Sequence, residues 1–187
     1  MPLGSLWLAV VVSTVVVFVL SALMHAVLKY HAKEVAAVPD EDALSHAVAK
    51  QGLAPGAYLV PHGGDGSKCK DPAFKARWEK GPNFFLTVGP SGPMSMGKPL
   101  ILWALTCFLV SFLTAYVARH ALDFGAAQVD IARIVGTVSF MAYTMGSLTE
   151  SIWKWRPWAS TCLAFVDGAV YAAATAACFA FLWPAAA

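Results

Sequence analysis

Four long apolar stretches, separated by polar segments, dominate the hydrophobic pattern of this chain. They cover residues 6–28, 100–118, 131–152 and 157–183. A helix that crosses about 30 Å of hydrocarbon needs roughly 20 mostly apolar residues, and each stretch is long enough. The pattern predicts an all-α transmembrane fold, a four-helix bundle, in which residues 1–187 form a single integral membrane domain.

Charged residues are segregated from these stretches. Sixteen of the 24 lie between residues 29 and 98. Charged residues make up 13% of the chain and hydrophobic residues 58%, whereas about a quarter of a typical soluble domain is charged. This composition excludes an ordinary soluble domain. The net charge of +2 is too small to favour a nucleic-acid partner, so we expect none.

The polar segment 30–98 has local signals of folded structure. Asp40, Glu41 and Asp42 precede an amphipathic stretch and suit the start of a helix. The sequence DPAFKARWEKG predicts a second helix, with Asp71 as its N-cap and Gly81 as its stop. AYLVP and NFFLTV are strand candidates. We therefore expect a small α+β extramembrane cap over residues 30–98.

Aromatic and basic residues predict the membrane boundaries and the orientation. Trp153, Trp155 and Trp158 lie together between the third and fourth stretches, as in an interfacial aromatic belt. Met1–Ser5 carries no Lys or Arg, which favours an uncleaved first span over a signal peptide. Eleven of the thirteen Lys and Arg lie in residues 29–98 and 150–156. Because positive charge stays inside, we expect a multi-pass protein of the cell's inner membrane, with the 30–98 segment cytoplasmic and both termini outside.

Polar residues recur on one face of the third and fourth spans. Asp167 lies ten residues into the last stretch, where a carboxylate costs at least about 2.5–3.5 kcal/mol and should face protein or water. Antiparallel packing places His25 near the depth of Glu150. The predicted intramembrane polar seam consists of His25, Ser139, Tyr143, Ser147, Glu150, Asp167, Tyr171 and Thr175. It suits either an ion, proton or small solute, or hydrogen bonds that join the helices.

Metal and cofactor motifs are weak in this sequence. His62, Asp65 and Cys69 could ligate a metal, but their spacing fits no strong template and the glycines around them indicate a flexible turn. His25 and His31 are six residues apart, which does not align them on one helix face. The four cysteines have no paired spacing, and no catalytic motif is present. The sequence predicts no metal site, no cofactor and no catalytic residue.

Several stretches resemble a family of uncharacterised small bacterial membrane proteins, classed only as a domain of unknown function. They are LWLAVVVSTVVVFVLSALMHAV, LVSFLTAYVARHAL, SIWKWRPW and FVDGAVYAAATAACFAFLW. The resemblance implies a four-helix membrane fold and brings no known activity. This chain departs from the family pattern by its 30–98 insertion.

Three functional hypotheses follow from these features. The first is a structural or accessory subunit of a larger membrane complex, because the chain has small-residue packing faces and no catalytic constellation. Its partners would be the lipid bilayer and other subunits or further copies of the chain. The alternative is a small transporter or channel with a polar seam around Asp167. A third hypothesis is a lipid-directed enzyme that uses His25, Glu150 and Arg156.

Overall fold

The computed structural model describes residues 2–185, which divide into two compact units. Ala36–Met94 form one unit, and the described residues on either side of it form the other. In chain order the helices are α1 (Trp7–Leu23), α2 (Glu41–Lys50), α3 (Pro72–Lys80), α4 (Gly97–Ala121), α5 (Gln128–Lys154) and α6 (Trp158–Leu182), and the strands are β1 (Gly56–Val60) and β2 (Phe84–Val88).

Four helical segments of the described chain are long and apolar enough to cross a membrane. They are Leu3–Leu28, Gly97–Ala121, Gln128–Lys154 and Trp158–Leu182. The first contains α1, which is preceded by a 3₁₀ turn and followed by a π turn at Met24–Leu28. The four predicted spans thus coincide with helices that are long and apolar enough to cross a membrane, as expected of a multi-pass membrane protein.

The four long helices pack in a closed order. α1 contacts α4 and α6, and α5 contacts the same two helices. At the end where α1 begins and α6 ends, the interior is an apolar cluster that includes Leu6, Ala118 and Phe179. A second cluster, around Val17, Cys107 and Tyr171, lies further along α1. Hydrogen bonds also join neighbouring helices, such as Trp103 Nε1 to Ser21 Oγ at 2.7 Å.

Small residues allow α5 and α6 to approach closely. Gly168, Ala172 and Ala176, spaced four residues apart on α6, form a buried face of small residues. A Cβ on Gly168 would lie 2.2 Å from Cγ2 of Thr144, closer than any real contact. Packing of backbones over small residues is a common way to associate membrane helices, because it maximises van der Waals contact.

The Gly168→Ala variant is expected to destabilise the bundle by about 1–3 kcal/mol, the usual cost of an overpacked site. Thermal unfolding in detergent would measure the change. Gly146→Ala is the matched control, because no heavy atom lies within 4 Å of its added Cβ. Replacing a helical glycine there should stabilise by about 0.5–1 kcal/mol. An unchanged midpoint for Gly168→Ala would show that α5 and α6 are not packed this closely.

The Ala36–Met94 unit has the predicted helix–strand–helix–strand order. Asp40 caps α2 by accepting a hydrogen bond from the amide of Ala43, and Asp71 caps α3 by accepting from Ala73. The strands β1 and β2 pair antiparallel, with Gly56 opposite Val88 and Val60 opposite Phe84. This is the small α+β element expected from the sequence of residues 30–98.

Candidate functional site

The residues of the predicted seam differ in their burial and in their hydrogen-bond partners. Asp167, Tyr171, Thr175 and Ser139 are buried, as expected of residues that face the bundle interior. The hydroxyls of the smaller members bond within their own helices. Ser139 Oγ donates to the Val135 carbonyl, Ser147 Oγ to that of Thr144 and Thr175 Oγ1 to that of Tyr171.

Glu150 is the member of the seam that the structure separates from the others. Its side chain is 41% exposed and pairs with Lys154 at 2.7 Å. The side chain of His25 instead approaches Asp167, and that of Arg156 pairs with Glu34. The side chains of His25, Glu150 and Arg156, the residues of the hypothesised lipid-directed enzyme site, thus have three different partners.

A reversal of the chain after the first span builds the site around Asp167. The π turn ends at Leu28, and Lys29 adopts a left-handed conformation with φ of 50°. A 3₁₀ turn, Tyr30–Lys33, follows at once. Tyr30 and His31 consequently reach back to the carboxylate of Asp167 on α6, where Tyr30 Oη donates a hydrogen bond to Oδ1.

Two histidines and one carboxylate meet at this point, which we call the histidine–aspartate centre (His25, His31 and Asp167). Their ligand atoms all lie within 4.8 Å of one another. His31 Nε2 is 2.9 Å and His25 Nε2 3.7 Å from Asp167 Oδ2. The two imidazole rings are stacked, with centroids 4.4 Å apart and planes at 4°. The helix-face argument that separated His25 from His31 is wrong, because no single helix contains both.

The other nitrogen of each histidine already has an acceptor. His25 Nδ1 lies 3.0 Å from the carbonyl oxygen of Ser21, and His31 Nδ1 contacts the carboxylate of Glu34. A carbonyl or carboxylate at Nδ1 favours a proton there, which leaves Nε2 unprotonated in the neutral ring. In neutral rings both Nε2 lone pairs would then be available towards Asp167, whereas a protonated ring would direct an N–H towards it.

Glu34 and Tyr30 complete the surroundings of the centre. Arg156 Nη2 donates to Glu34 Oε2 at 2.8 Å. Burial opposes the charge on Glu34, but hydrogen bonds with His31, Arg156 and Ser160 outweigh it and lower its pKa. Burial, followed by the hydrogen bond to Asp167, raises the pKa of Tyr30 above its ordinary value. Glu34 is thus an anionic acceptor, and Tyr30 is a neutral donor.

The weak metal candidates of the Ala36–Met94 unit make local turn contacts instead. His62 Nδ1 accepts from the amide of Gly64, and Asp65 Oδ1 accepts from that of Ser67. Hydrogen bonds with the side chain and then the amide of Ser67 lower the pKa of Asp65. Cys69 is exposed. Within the described chain, these three side chains do not gather as the histidine–aspartate centre does.

A cavity of about 450 Å³ adjoins the centre. All four long helices contribute to its walls, and both His25 and Asp167 line it. Trp103, Tyr143 and Tyr171 form an aromatic wall, with ring centroids 5.4–6.3 Å apart. The centre therefore lies beside a space large enough for a small molecule.

Comparisons with known proteins returned no match to this chain among protein-family models, curated proteins or solved structures. The resemblance to a family of small bacterial membrane proteins therefore stays a prediction.

Proposed function

We propose that this protein binds a divalent transition-metal ion at the histidine–aspartate centre, within its membrane-spanning bundle. One observation carries the proposal: His25, His31 and Asp167 can each offer a ligand atom within 4.8 Å of the other two, and Nε2 of His31 and of His25 lie 2.9 Å and 3.7 Å from Asp167 Oδ2. Ligand atoms about 2.0–2.1 Å from a tetrahedral zinc ion lie roughly 3.3 Å apart. Because an imidazole binds a metal in its own ring plane, the two stacked rings would have to rotate out of their parallel arrangement to bind one ion.

The ligand types support a transition metal over magnesium or calcium. Imidazole suits Zn, Cu, Fe and Ni, whereas Mg²⁺ and Ca²⁺ prefer sites made of oxygen alone. Two histidines and one carboxylate also form a recurrent iron(II) site, and three protein ligands with an open position form a recurrent zinc site. We therefore expect Zn²⁺ or Fe²⁺ to bind far more tightly than Mg²⁺.

Three electron-rich atoms converge when both rings are neutral and carry their protons on Nδ1. The competing arrangement is a protonated His31 that donates from Nδ1 to Glu34 and from Nε2 to Asp167. His31 Nε2 is buried and lacks a hydrogen-bond partner among the described residues, although Asp167 Oδ2 is 2.9 Å away. The two atoms are thus close without being aligned as donor and acceptor. A cation would satisfy all three atoms at once.

The hydrogen bonds of the Nδ1 atoms of His25 and His31 are typical of histidines that bind a metal. Ligating histidines usually donate their second nitrogen to a carbonyl or carboxylate, which fixes the tautomer and the ring orientation. His25 and His31 each have such an acceptor, in Ser21 and Glu34. Tyr30 holds Oδ1 of Asp167 and leaves Oδ2 for the metal.

Zinc titration of the tag-free protein in detergent micelles tests the proposal. After the protein has been stripped with a chelator, one Zn²⁺ per chain should bind saturably, and millimolar Mg²⁺ should not displace it. Absence of saturable binding, or full displacement by Mg²⁺, would overturn the proposal. A tag-free chain is needed because a polyhistidine tag binds the same ions.

Removing the carboxylate of Glu34 should weaken zinc binding by about 10- to 100-fold, the usual cost of losing a partner behind a metal ligand. Glu34→Gln retains an acceptor for His31 Nδ1. Its zinc affinity should therefore fall less than that of Glu34→Ala. Glu150→Ala removes an exposed carboxylate paired with Lys154 and is the control. Equal affinities for Glu34→Ala and Glu150→Ala would exclude a positioning role for Glu34.

The proposal narrows the polar-seam hypothesis, because the protein ligands gather around Asp167 rather than along two helix faces. We place the protein in the cell's inner membrane, with the Ala36–Met94 unit on the cytoplasmic side, on the strength of the Lys and Arg distribution. Transport of a solute and an accessory role in a larger complex stay predictions.

A further inference from the structure

We infer that the metal ion also binds an external ligand, a small lipid-soluble aromatic compound with an oxygen donor, held in the adjoining cavity. This inference rests on the proposed function and concerns the same site. It adds the chemical class of a second ligand, which metal binding alone does not require.

The metal would have room for another ligand. His25, His31 and Asp167 supply three protein donors among the described residues. Zinc takes at least four donors, and sites with three protein ligands leave the fourth position to water or substrate. Non-haem iron bound by two histidines and one carboxylate likewise keeps open positions.

The cavity matches a small molecule in size and in lining. Its volume of about 450 Å³ lies within the range of roughly 300–1,000 Å³ that is usual for ligand sites. His25 and Asp167 supply polar groups at the metal, while Phe18, Leu100 and Trp103 contribute apolar surface. Such sites combine an apolar wall with a few polar groups that orient the ligand.

The aromatic wall favours a flat ligand. Tyr171 contacts Tyr143 edge-on, with centroids 5.4 Å apart, and Trp103 lies 6.0 Å from Tyr171. Aromatic rings gain from stacked or edge-on contacts with one another. Tyr171 is 3% exposed, and its hydroxyl has no hydrogen-bond partner among residues 2–185. Buried hydroxyls usually have a partner, so an oxygen on the ligand would satisfy this one.

The rim of the cavity is open at the surface of the bundle. The side chain of His25 is 49% exposed, and Leu100 is 44% exposed. Both line the cavity. Since the surrounding helices are apolar enough to lie in a membrane, the ligand would enter from a lipid environment, which favours a lipid-soluble compound.

Benzohydroxamate and acetohydroxamate separate the metal contact from the cavity contact. Both carry the same metal-binding oxygen donors, and only benzohydroxamate carries an aromatic ring. We would load the full-length protein with Co²⁺ in detergent and follow its visible absorption during titration with each compound. Benzohydroxamate should bind at least about tenfold more tightly, because the ring removes its apolar surface from water.

Two phenylalanine variants of α6 test whether the preference for benzohydroxamate arises in the cavity. Ala164 lines the cavity, whereas Ala169 is an exposed residue of the same helix that does not. Ala164→Phe should remove most of the tenfold preference by filling the space, and Ala169→Phe should retain it. Both variants should bind Co²⁺ as the wild-type protein does.

The outcomes distinguish the two proposals. Equal affinity for the two hydroxamates, or a preference that survives in Ala164→Phe, would overturn the external-ligand inference and leave metal binding standing. A wild-type protein that takes up no Co²⁺ would overturn both. Loss of the preference in Ala169→Phe as well would assign it to the detergent or to altered helix packing, and would also overturn the inference.

Discussion

The His31→Ala variant is expected to bind zinc at least about 100-fold more weakly than the wild-type protein. Loss of a group behind a ligand costs about 10- to 100-fold in affinity, and the loss of a ligand itself should cost no less than the upper end of that range. His31 provides the Nε2 nearest to Asp167, at 2.9 Å. Competition with a chromogenic zinc chelator in detergent would measure the affinities.

His62→Ala is the matched control for this experiment. His62 was a metal candidate in the sequence, but its Nδ1 accepts from the backbone of Gly64 in a local turn. Its replacement should leave zinc affinity unchanged within about twofold. If His62→Ala lost binding and His31→Ala retained it, the metal would belong to the Ala36–Met94 unit.

The Asp167→Ala variant is expected to loosen the turn Tyr30–Lys33 in the metal-free protein. The hydroxyl of the half-buried Tyr30 donates to Asp167, and the loss of such a hydrogen bond costs about 0.5–1.5 kcal/mol. Amide protons of residues 30–34 should then exchange about 2- to 12-fold faster, since each 1.4 kcal/mol is a factor of ten. Hydrogen exchange with mass spectrometry would resolve this segment.

Asp130→Ala is the control for the exchange experiment, because it removes a different carboxylate from the same bundle. Asp130 pairs with Arg133 at 3.2 Å, and both side chains are more than half exposed. Exposed pairs contribute little, so exchange at residues 30–34 should not change. Equal exchange rates in wild type and Asp167→Ala would mean that Asp167 does not hold the turn.

The spans and the small elements were predictable because their signals are local. A helix that crosses a bilayer needs about 20 predominantly apolar residues, so composition alone identifies Gly97–Ala121 and its counterparts. The helices α2 and α3 begin where Asp40 and Asp71 can cap them. Span composition and helix N-caps can each be identified from residues that are close in sequence. Tertiary contacts do not change these elements in the structure.

The centre was only half predictable. An intramembrane carboxylate needs partners, so Asp167 could be selected from the sequence. Its partners could not, because Lys29 reverses the chain in a left-handed conformation that glycine or asparagine usually adopts. The six-residue spacing of His25 and His31 separates them only on a continuous helix, and the chain reverses between these two residues. A search for histidine and tyrosine just beyond the span ends would have found Tyr30 and His31.

The remaining contacts depend on the assembled bundle. Glu34 and Arg156 are 122 residues apart, and their pairing requires the end of the first span to lie beside the turn between α5 and α6. Antiparallel packing predicts only that His25 and Glu150 lie at a similar depth. Depth alone does not specify the rotation of a helix about its axis, and that rotation directs Glu150 to Lys154.

X-ray absorption at the zinc edge of the zinc-loaded, tag-free protein tests the central claim most directly. Coordination by His25, His31 and Asp167 predicts two imidazole nitrogens at about 2.0–2.1 Å, a carboxylate oxygen at about 2.0–2.2 Å and no sulfur. Multiple scattering from the imidazole rings would identify the histidines. A sulfur neighbour at about 2.3 Å, or zinc surrounded only by oxygens, would contradict the proposed centre.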